Sequence, residues 1–209
     1  MISPLIIILF LVVVAAWFGR RTLSRRRSLP CPACFSWMVD NAFSIRRTSA
    51  TLDHLQLFPG MHVLDGGCGR GRLAIPIAQA VGAHGRVLAV DIQPDMLRRA
   101  KVKAGRSSVA NMEFLHAGLG EGSLPRARFD RAVLSTVLGE IPDRLAALRE
   151  IRSALKPGGF LLINEVIGDP HYQSLAKVKA LTGEAGFRLG AHHGSWIAFS
   201  IRLEKQDDT

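Results

Sequence analysis

The chain has 209 residues, 48% of them hydrophobic and 21% charged, with three cysteines. That suits one domain with a terminal appendage, and it excludes wholesale disorder and a disulfide-stapled mini-protein. Lys and Arg number 27 against 17 Asp and Glu, a formal net charge of +10.

The charge is local. Arg20, Arg21, Arg25, Arg26, Arg27, Arg46 and Arg47 face one acid, Asp40, and supply +6 of the +10. A nucleic-acid groove spreads its bases through the folded domain among aromatic residues, so no nucleic acid is expected. Here the bases follow an uncharged run, Ile2 to Gly19. As a helix that run spans about 27 Å, enough for a thin hydrocarbon core. Trp17 falls at its end, where an interfacial aromatic belongs. A cleaved signal peptide would carry its bases before the run. The pattern predicts a single-pass membrane anchor over 2–19, anionic lipids against the Arg cluster, and a cytoplasmic catalytic domain. A buried core helix or a cleaved signal are the alternatives.

Residues 20–57 form a basic juxtamembrane segment and cap. Phe35, Met38, Val39, Ala42 and Phe43 recur at helical spacing, as a helix packed on the domain, lying at an interface, or both. Cys31 and Cys34 make a lone CxxC. A zinc site needs two further ligands, so incidental thiols are favoured over lipid acylation or redox chemistry.

From 58 to 205 strands and helices alternate, leaving a short tail at 206–209. Strands are expected at Val63–Asp65, Arg86–Asp91, Met112–His116, Phe129–Ser135 and Phe160–Val166. Helices are expected at Leu73–Val81, Pro94–Gly105, Asp143–Leu155 and Ser174–Ala185. Lys156-Pro157-Gly158-Gly159 reads as the stop after the third helix. Phe187–His192 and Trp196–Glu204 read as an antiparallel hairpin. Strands separated by helices mean an α/β fold with a doubly wound, mostly parallel sheet.

The first loop is G-x-G-x-G at Gly67, Gly69 and Gly71, with Asp65 just ahead. A dinucleotide loop is G-x-G-x-x-G, and a pyrophosphate avoids a neighbouring carboxylate. A cationic or zwitterionic ligand tolerates one. Asp91 closes the second strand, where a carboxylate can accept from both hydroxyls of a ribose.

These segments resemble the class I S-adenosylmethionine-dependent methyltransferases. Val63 to Gly71 is similar to their first motif, and Asp91 to Leu97 to their second. Phe129-Asp130 through Pro142 is similar to their fourth strand and its loop, and Leu155 to Phe160 to the turn before their fifth. The resemblance is nearest to the small-molecule branch that includes quinone and lipid methyltransferases, and to a membrane-anchored bacterial subgroup. It implies a Rossmann-like seven-stranded sheet of order 3-2-1-4-5-7-6 with strand 7 antiparallel. It implies S-adenosyl-L-methionine as cofactor and a hydrophobic small molecule as acceptor.

It also implies roles. Asp65, Gly66, Gly67, Gly69 and Gly71 would surround the methionine part. Asp91 would hold the ribose, with Ile92 against the adenine, and Met96 is a further cofactor-binding position. Gly118 and Leu119 fall at the adenine loop, and Leu134, Ser135 and Thr136 would face the sulfonium. Relatives often carry an Asp where Leu119 stands; backbone amides or Glu121 are the substitutes. Gly66 and Arg70 depart from the commoner Leu and Thr.

Methyl transfer needs a base only if the acceptor is protonated. Glu140, Glu165, Asp169, His171 and Tyr172 lie on the loops after strands four and five, where ligands bind in open α/β sheets. His171 leads as a base that works at neutral pH, with capping or ordering of its loop as the alternative. Tyr172 would position the acceptor or serve packing alone, and Glu140 is either catalytic or a helix cap. His192 and His193 read as turn residues. No residue cluster suggests a metal. The alternatives in function are a protein or nucleic-acid methyltransferase, and a non-catalytic cofactor-binding module.

Overall fold

The computed structural model describes residues 42–205 and Gly19, with side chains from Arg47 onward. Residues 2–18 of the apolar run, Arg20 to Arg27, Cys31 and Cys34, Phe35, Met38 and Val39 of the expected cap, and the tail lie outside the described residues. Among the described residues no helix is long and apolar enough to cross a membrane.

Seven strands form one sheet: β1 (His62–Gly66), β2 (Arg86–Asp91), β3 (Met112–His116), β4 (Phe129–Ser135), β5 (Leu155–Val166), β6 (Phe187–Gly194) and β7 (Ala198–Lys205). Five α-helices accompany them: α1 (Ala42–Leu55), α2 (Ala74–Val81), α3 (Pro94–Arg106), α4 (Arg144–Ala154) and α5 (Leu175–Glu184). The order is β3-β2-β1-β4-β5-β7-β6. β1 to β5 pair in parallel, and β7 runs antiparallel to both β5 and β6. This is the expected seven-stranded Rossmann-like sheet.

Alternate side chains fill two cores. Val63, Val87, Ala89, Val133, Phe160 and Leu162 point to one face, against Leu55, Ile77 and Leu97 of α1, α2 and α3. Leu64, Leu88, Val90, Ala132, Leu134, Leu161 and Ile163 point to the other, against Leu148 of α4 and Val178 of α5. A sheet covered on both faces reads as continuous apolar runs, as at Phe160–Ile163.

Two boundaries differ from expectation. β5 begins at Leu155, not Phe160. Phe129 pairs with Leu155 and Arg131 with Phe160, so the Pro-Gly-Gly segment is a bulge inside the strand. Extra residues in one strand of a pair loop out without ending the pairing. His192 and His193 lie within β6, and the turn falls after them. His193 stacks on His54 of α1, with ring centroids 4.1 Å apart.

α1 runs from the carboxyl edge of the sheet to its amino edge. At its midpoint Thr48 Oγ1 accepts from Arg72, whose other nitrogen donates to Ser135 at the end of β4. At its end the Leu55 carbonyl accepts from Arg131, early in β4. The chain changes direction between β1 and β4. The crevice at that switch is where open α/β sheets bind ligands.

Candidate active site

A cavity of about 390 Å³ opens at this crevice. The ends of β1, β2 and β4 and the loops after them line it. The glycine loop folds across toward β2. The Cys68 amide donates to the Val90 carbonyl at 2.9 Å, and the Gly69 amide to Asp91 Oδ2 at 2.8 Å. The Gln93 amide donates to Asp91 Oδ1 at 2.8 Å. Asp91 is thus fixed by backbone amides at both oxygens. Gly67 and Gly69 have φ of +68° and +54°, conformations that favour glycine. A Cβ on Gly69 would meet nothing within 4 Å, whereas one on Gly67 would overlap Val137.

Asp65 is buried, and its Oδ2 has no hydrogen-bond partner. Burial pushes its carboxyl up to about 7, against the pull of Arg72 and with a further push from Asp91. An orphaned carboxylate oxygen in a cavity wall suits a cation, not a pyrophosphate. Burial likewise raises Asp91, although the Gln93 and Gly69 amides oppose it. The cavity therefore fits S-adenosyl-L-methionine, and Asp65 and Asp91 are the buried carboxylates of its wall that could hold it.

Thr136 follows β4 with φ +57°, its hydroxyl donating to the Ser135 carbonyl at 2.6 Å. A non-glycine residue in that region stores strain, and such residues cluster at ligand sites. Its amide is held by the Asn164 carbonyl of β5 at 2.9 Å.

Asp65, Gly67, Gly69, Asp91, Ile92, Met96, Gly118, Leu119, Ser135, Thr136 and Glu140 line the cavity. Gly66, Gly71 and Leu134 stand behind it. A Cβ on Gly66 would press on Leu134 and Leu119, and one on Gly71 would press on Ile75 and Ala100. These three serve close packing. Leu119 fills the space beside Gly66, while Glu121 lines the cavity and accepts from the Gly118 amide at 3.1 Å. The departure at Leu119 therefore has a packing cause.

The three catalytic candidates separate. Glu140 sits in a 3₁₀ turn (Leu138–Glu140) on the cavity wall. The cap of α4 is Asp143, whose Oδ1 accepts from the Ala146 amide, so Glu140 is not the helix cap. His171 lies behind the wall, its side chain 3% exposed, with Nδ1 3.5 Å from Glu140 Oε1. Tyr172 is outside the lining, and its hydroxyl donates to the Trp196 carbonyl at 2.6 Å.

Below them lies Glu165, 1% exposed. Its Oε2 accepts from the Gln173 amide at 3.1 Å and its Oε1 has no partner. Burial pushes this carboxyl up to about 8; the Gln173 amide and Arg47 oppose the rise, and Asp169 and Glu140 add to it. Among the described residues no group of His, Cys, Asp and Glu is placed to hold a metal ion.

Arg72 was not singled out from the sequence. It lines the cavity and ties α1 to β4, yet Thr48 and Ser135 are 24 and 63 residues away. Only its place beside the glycine loop signalled it.

Fold and cavity define a class I S-adenosylmethionine-dependent methyltransferase domain. The family model described as "Methyltransferase domain" matches residues 57–187, and the chain belongs to that family. Among curated relatives, the ubiquinone/menaquinone biosynthesis C-methyltransferase of Shewanella oneidensis is 32% identical over 159 residues, covering 72% of this chain and 63% of that protein. The demethylmenaquinone methyltransferase of Listeria welshimeri is 32% identical over 111 residues, 53% of this chain and 47% of that one. The chain thus spans about two thirds or less of the length of these relatives. A solved S-adenosylmethionine-dependent methyltransferase from Aquifex aeolicus superposes with a TM-score of 0.77 at 22% identity, covering 85% of this chain and 100% of that one.

Proposed function

We propose that this chain is a membrane-anchored methyltransferase whose acceptor is a hydrophobic or amphiphilic small molecule, such as a quinone precursor or a lipid. The observation that carries the reading is the partnerless Asp65 oxygen in the wall of a cavity that continues into Val137, Ile141 and Pro142. Charge recognition at one end and apolar wall at the other suit a zwitterionic cofactor beside a greasy acceptor. The quinone methyltransferases among the relatives support the acceptor class. The uncharged run 2–19 and the Arg cluster support single-pass anchoring with the domain in the cytoplasm, where holding the site at the bilayer concentrates a lipid-phase acceptor.

Bound here, S-adenosylmethionine supplies an electrophilic methyl group on a sulfonium. Asp65 neutralises its ammonium group and Asp91 fixes its ribose. Ser135 and Thr136 present a polar, uncharged wall to the reacting centre. Positioning and exclusion of water are the protein's share of such a transfer. Glu140 lies on the wall beside Val137 and Ile141, where Asp143 and Asp169 accept from backbone amides, and it is the carboxylate we assign to take a proton from an acidic acceptor. His171 acts through it, orienting the carboxylate from behind.

The experiment is incubation of the full chain with methyl-labelled cofactor and native membrane extract. Label in an organic-soluble small molecule supports the reading; label confined to protein or RNA overturns it. Glu140→Gln should remove the acidic limb of the pH–rate profile for a protonated acceptor. His171→Asn should shift that limb while leaving cofactor affinity unchanged.

A further inference from the structure

The carboxyl edge of the sheet carries an apolar point that neither the cores nor the cavity uses. β6 and β7 are joined by Ser195, Trp196 and Ile197. Trp196 is 68% exposed and Ile197 49%; no other two exposed large hydrophobics among the described residues are adjacent in sequence. Single apolar side chains on a surface need no explanation, but a paired and ordered display does.

The bend is ordered. The Tyr172 hydroxyl holds the Trp196 carbonyl at 2.6 Å, and the Ile167 amide holds the Ile197 carbonyl at 2.7 Å. The Ser195 amide donates to the Ala198 carbonyl at 2.9 Å, and the Ile197 amide to Ser195 Oγ at 3.3 Å. Four hydrogen bonds fix the backbone while both side chains stand in water. The ten residues from Gly190 to Phe199 include no Lys, Arg, Asp or Glu. The acid on the adjoining loop, Asp169, turns inward to accept from the His171 amide at 2.6 Å.

Position selects the surface that this point meets. Ala198, the first residue of β7, pairs with Val166, the last of β5, so the bend lies at the edge that holds the cavity. α1 also reaches that edge, where Thr48 at its midpoint joins Arg72 and Ser135. Traced back from Leu55 through Thr48, α1 therefore leads toward the side that carries Trp196. The sequence ahead of α1 holds the apolar run and the basic cluster. Tryptophan favours the headgroup layer, and arginine favours anionic phosphate just outside it.

We propose that this edge of the sheet lies against the bilayer, with Trp196 and Ile197 in the headgroup layer and the cavity mouth turned toward the lipid. The proposal rests on reading 2–19 as an anchor. The bend is then a second contact that sets the domain's orientation, so a membrane-dissolved acceptor reaches the Val137–Ile141 wall without crossing water.

The test uses the full chain carrying Trp17→Phe and Trp37→Phe, which leaves Trp196 as its only tryptophan. The protein is reconstituted in phosphatidylcholine/phosphatidylglycerol vesicles with plain or acyl-brominated chains. Flotation reports anchoring and fluorescence reports the bend. Co-flotation with at least twofold quenching by bromine supports the proposal. Co-flotation with unquenched emission overturns it and leaves the anchor standing, whether the indole is open to acrylamide or covered by the chain itself. Failure to float overturns both. In the otherwise native chain, Trp196→Ala should raise the KM for a vesicle-borne acceptor severalfold and leave cofactor affinity unchanged. An unaltered KM would count against the bend.

Discussion

A Cβ on Gly66 would stand 3.0 Å from Leu119 Cδ1, with Leu134 Cδ2 nearer still at 2.7 Å. Two departures from the family pattern are therefore one exchange of volume. Glycine at the end of β1 leaves a hollow, and Leu119 reaches in from the loop after β3 to fill it.

That exchange predicts coupling. Gly66→Ala should destabilise by about 1–2 kcal/mol, as overpacking does. Combined with Leu119→Ala, the loss should fall short of the sum of the single changes by at least about 0.5 kcal/mol, the scale of residues in contact. Urea denaturation of the four proteins measures it, and strict additivity would refute the exchange.

Cofactor affinity should depend on pH through Asp65. Its carboxyl titrates at about 7 when buried without a cation. The ammonium group of the cofactor binds the ionised form, so binding below pH 7 must expel a proton. Affinity should rise up to tenfold per pH unit between pH 5.5 and 7 and then level off. Calorimetry over pH 5.5–7.5 should show this in the native chain. Asp65→Asn should bind weakly with no slope.

Stability should depend on pH through Glu165. Its folded-state value of about 8 lies above the ordinary 4.5. Between those values the unfolded chain binds fewer protons than the folded one, so stability falls as pH rises, by roughly 1.4 kcal/mol per unit at most. Asp65 acts in the same direction below pH 7. Glu165→Gln removes its share of the slope, and its Tm should exceed that of the native chain more at pH 8.5 than at pH 6.

The loops after β4 and β5 are packed backbone to backbone. A Cβ on Gly139 would overlap the His171 carbonyl oxygen and stand 2.7 Å from its carbon and 2.8 Å from Gln173 Nε2. Arg144 further pins this turn through the Leu138 and Gly139 carbonyls at 3.0 and 2.9 Å. Gly139→Ala should cost at least about 2 kcal/mol and displace Glu140 from His171. Gly183→Ala in α5, with nothing within 4 Å, should stabilise by up to about 1 kcal/mol. Thermal melts of both variants check the contrast.

The strands and the cavity-lining motifs were legible because their signals are local, and the strand order followed from the family resemblance. Buried parallel strands read as short apolar runs, and Asp65 to Gly71 and Asp91 each sit in one contiguous motif. The start of β5 was hidden because Pro157-Gly158-Gly159 reads alike as a stop and as a bulge. The placement of Glu140 and His171 was hidden for a different reason. Both fall on loops at the correct edge, but which one reaches the cavity depends on packing between residues 31 positions apart. Arg72 and the partnerless Glu165 oxygen depend likewise on contacts that no local pattern encodes.

The Thr48–Arg72–Ser135 bridge, with bonds of 2.7 and 3.3 Å, fastens the middle of α1 to the end of β4, and Arg131 fastens its last residue to the start of the same strand. The helix is thus a splint along β4, clasped near both ends of that strand, and the wall of the cavity keeps its shape only while both clasps hold.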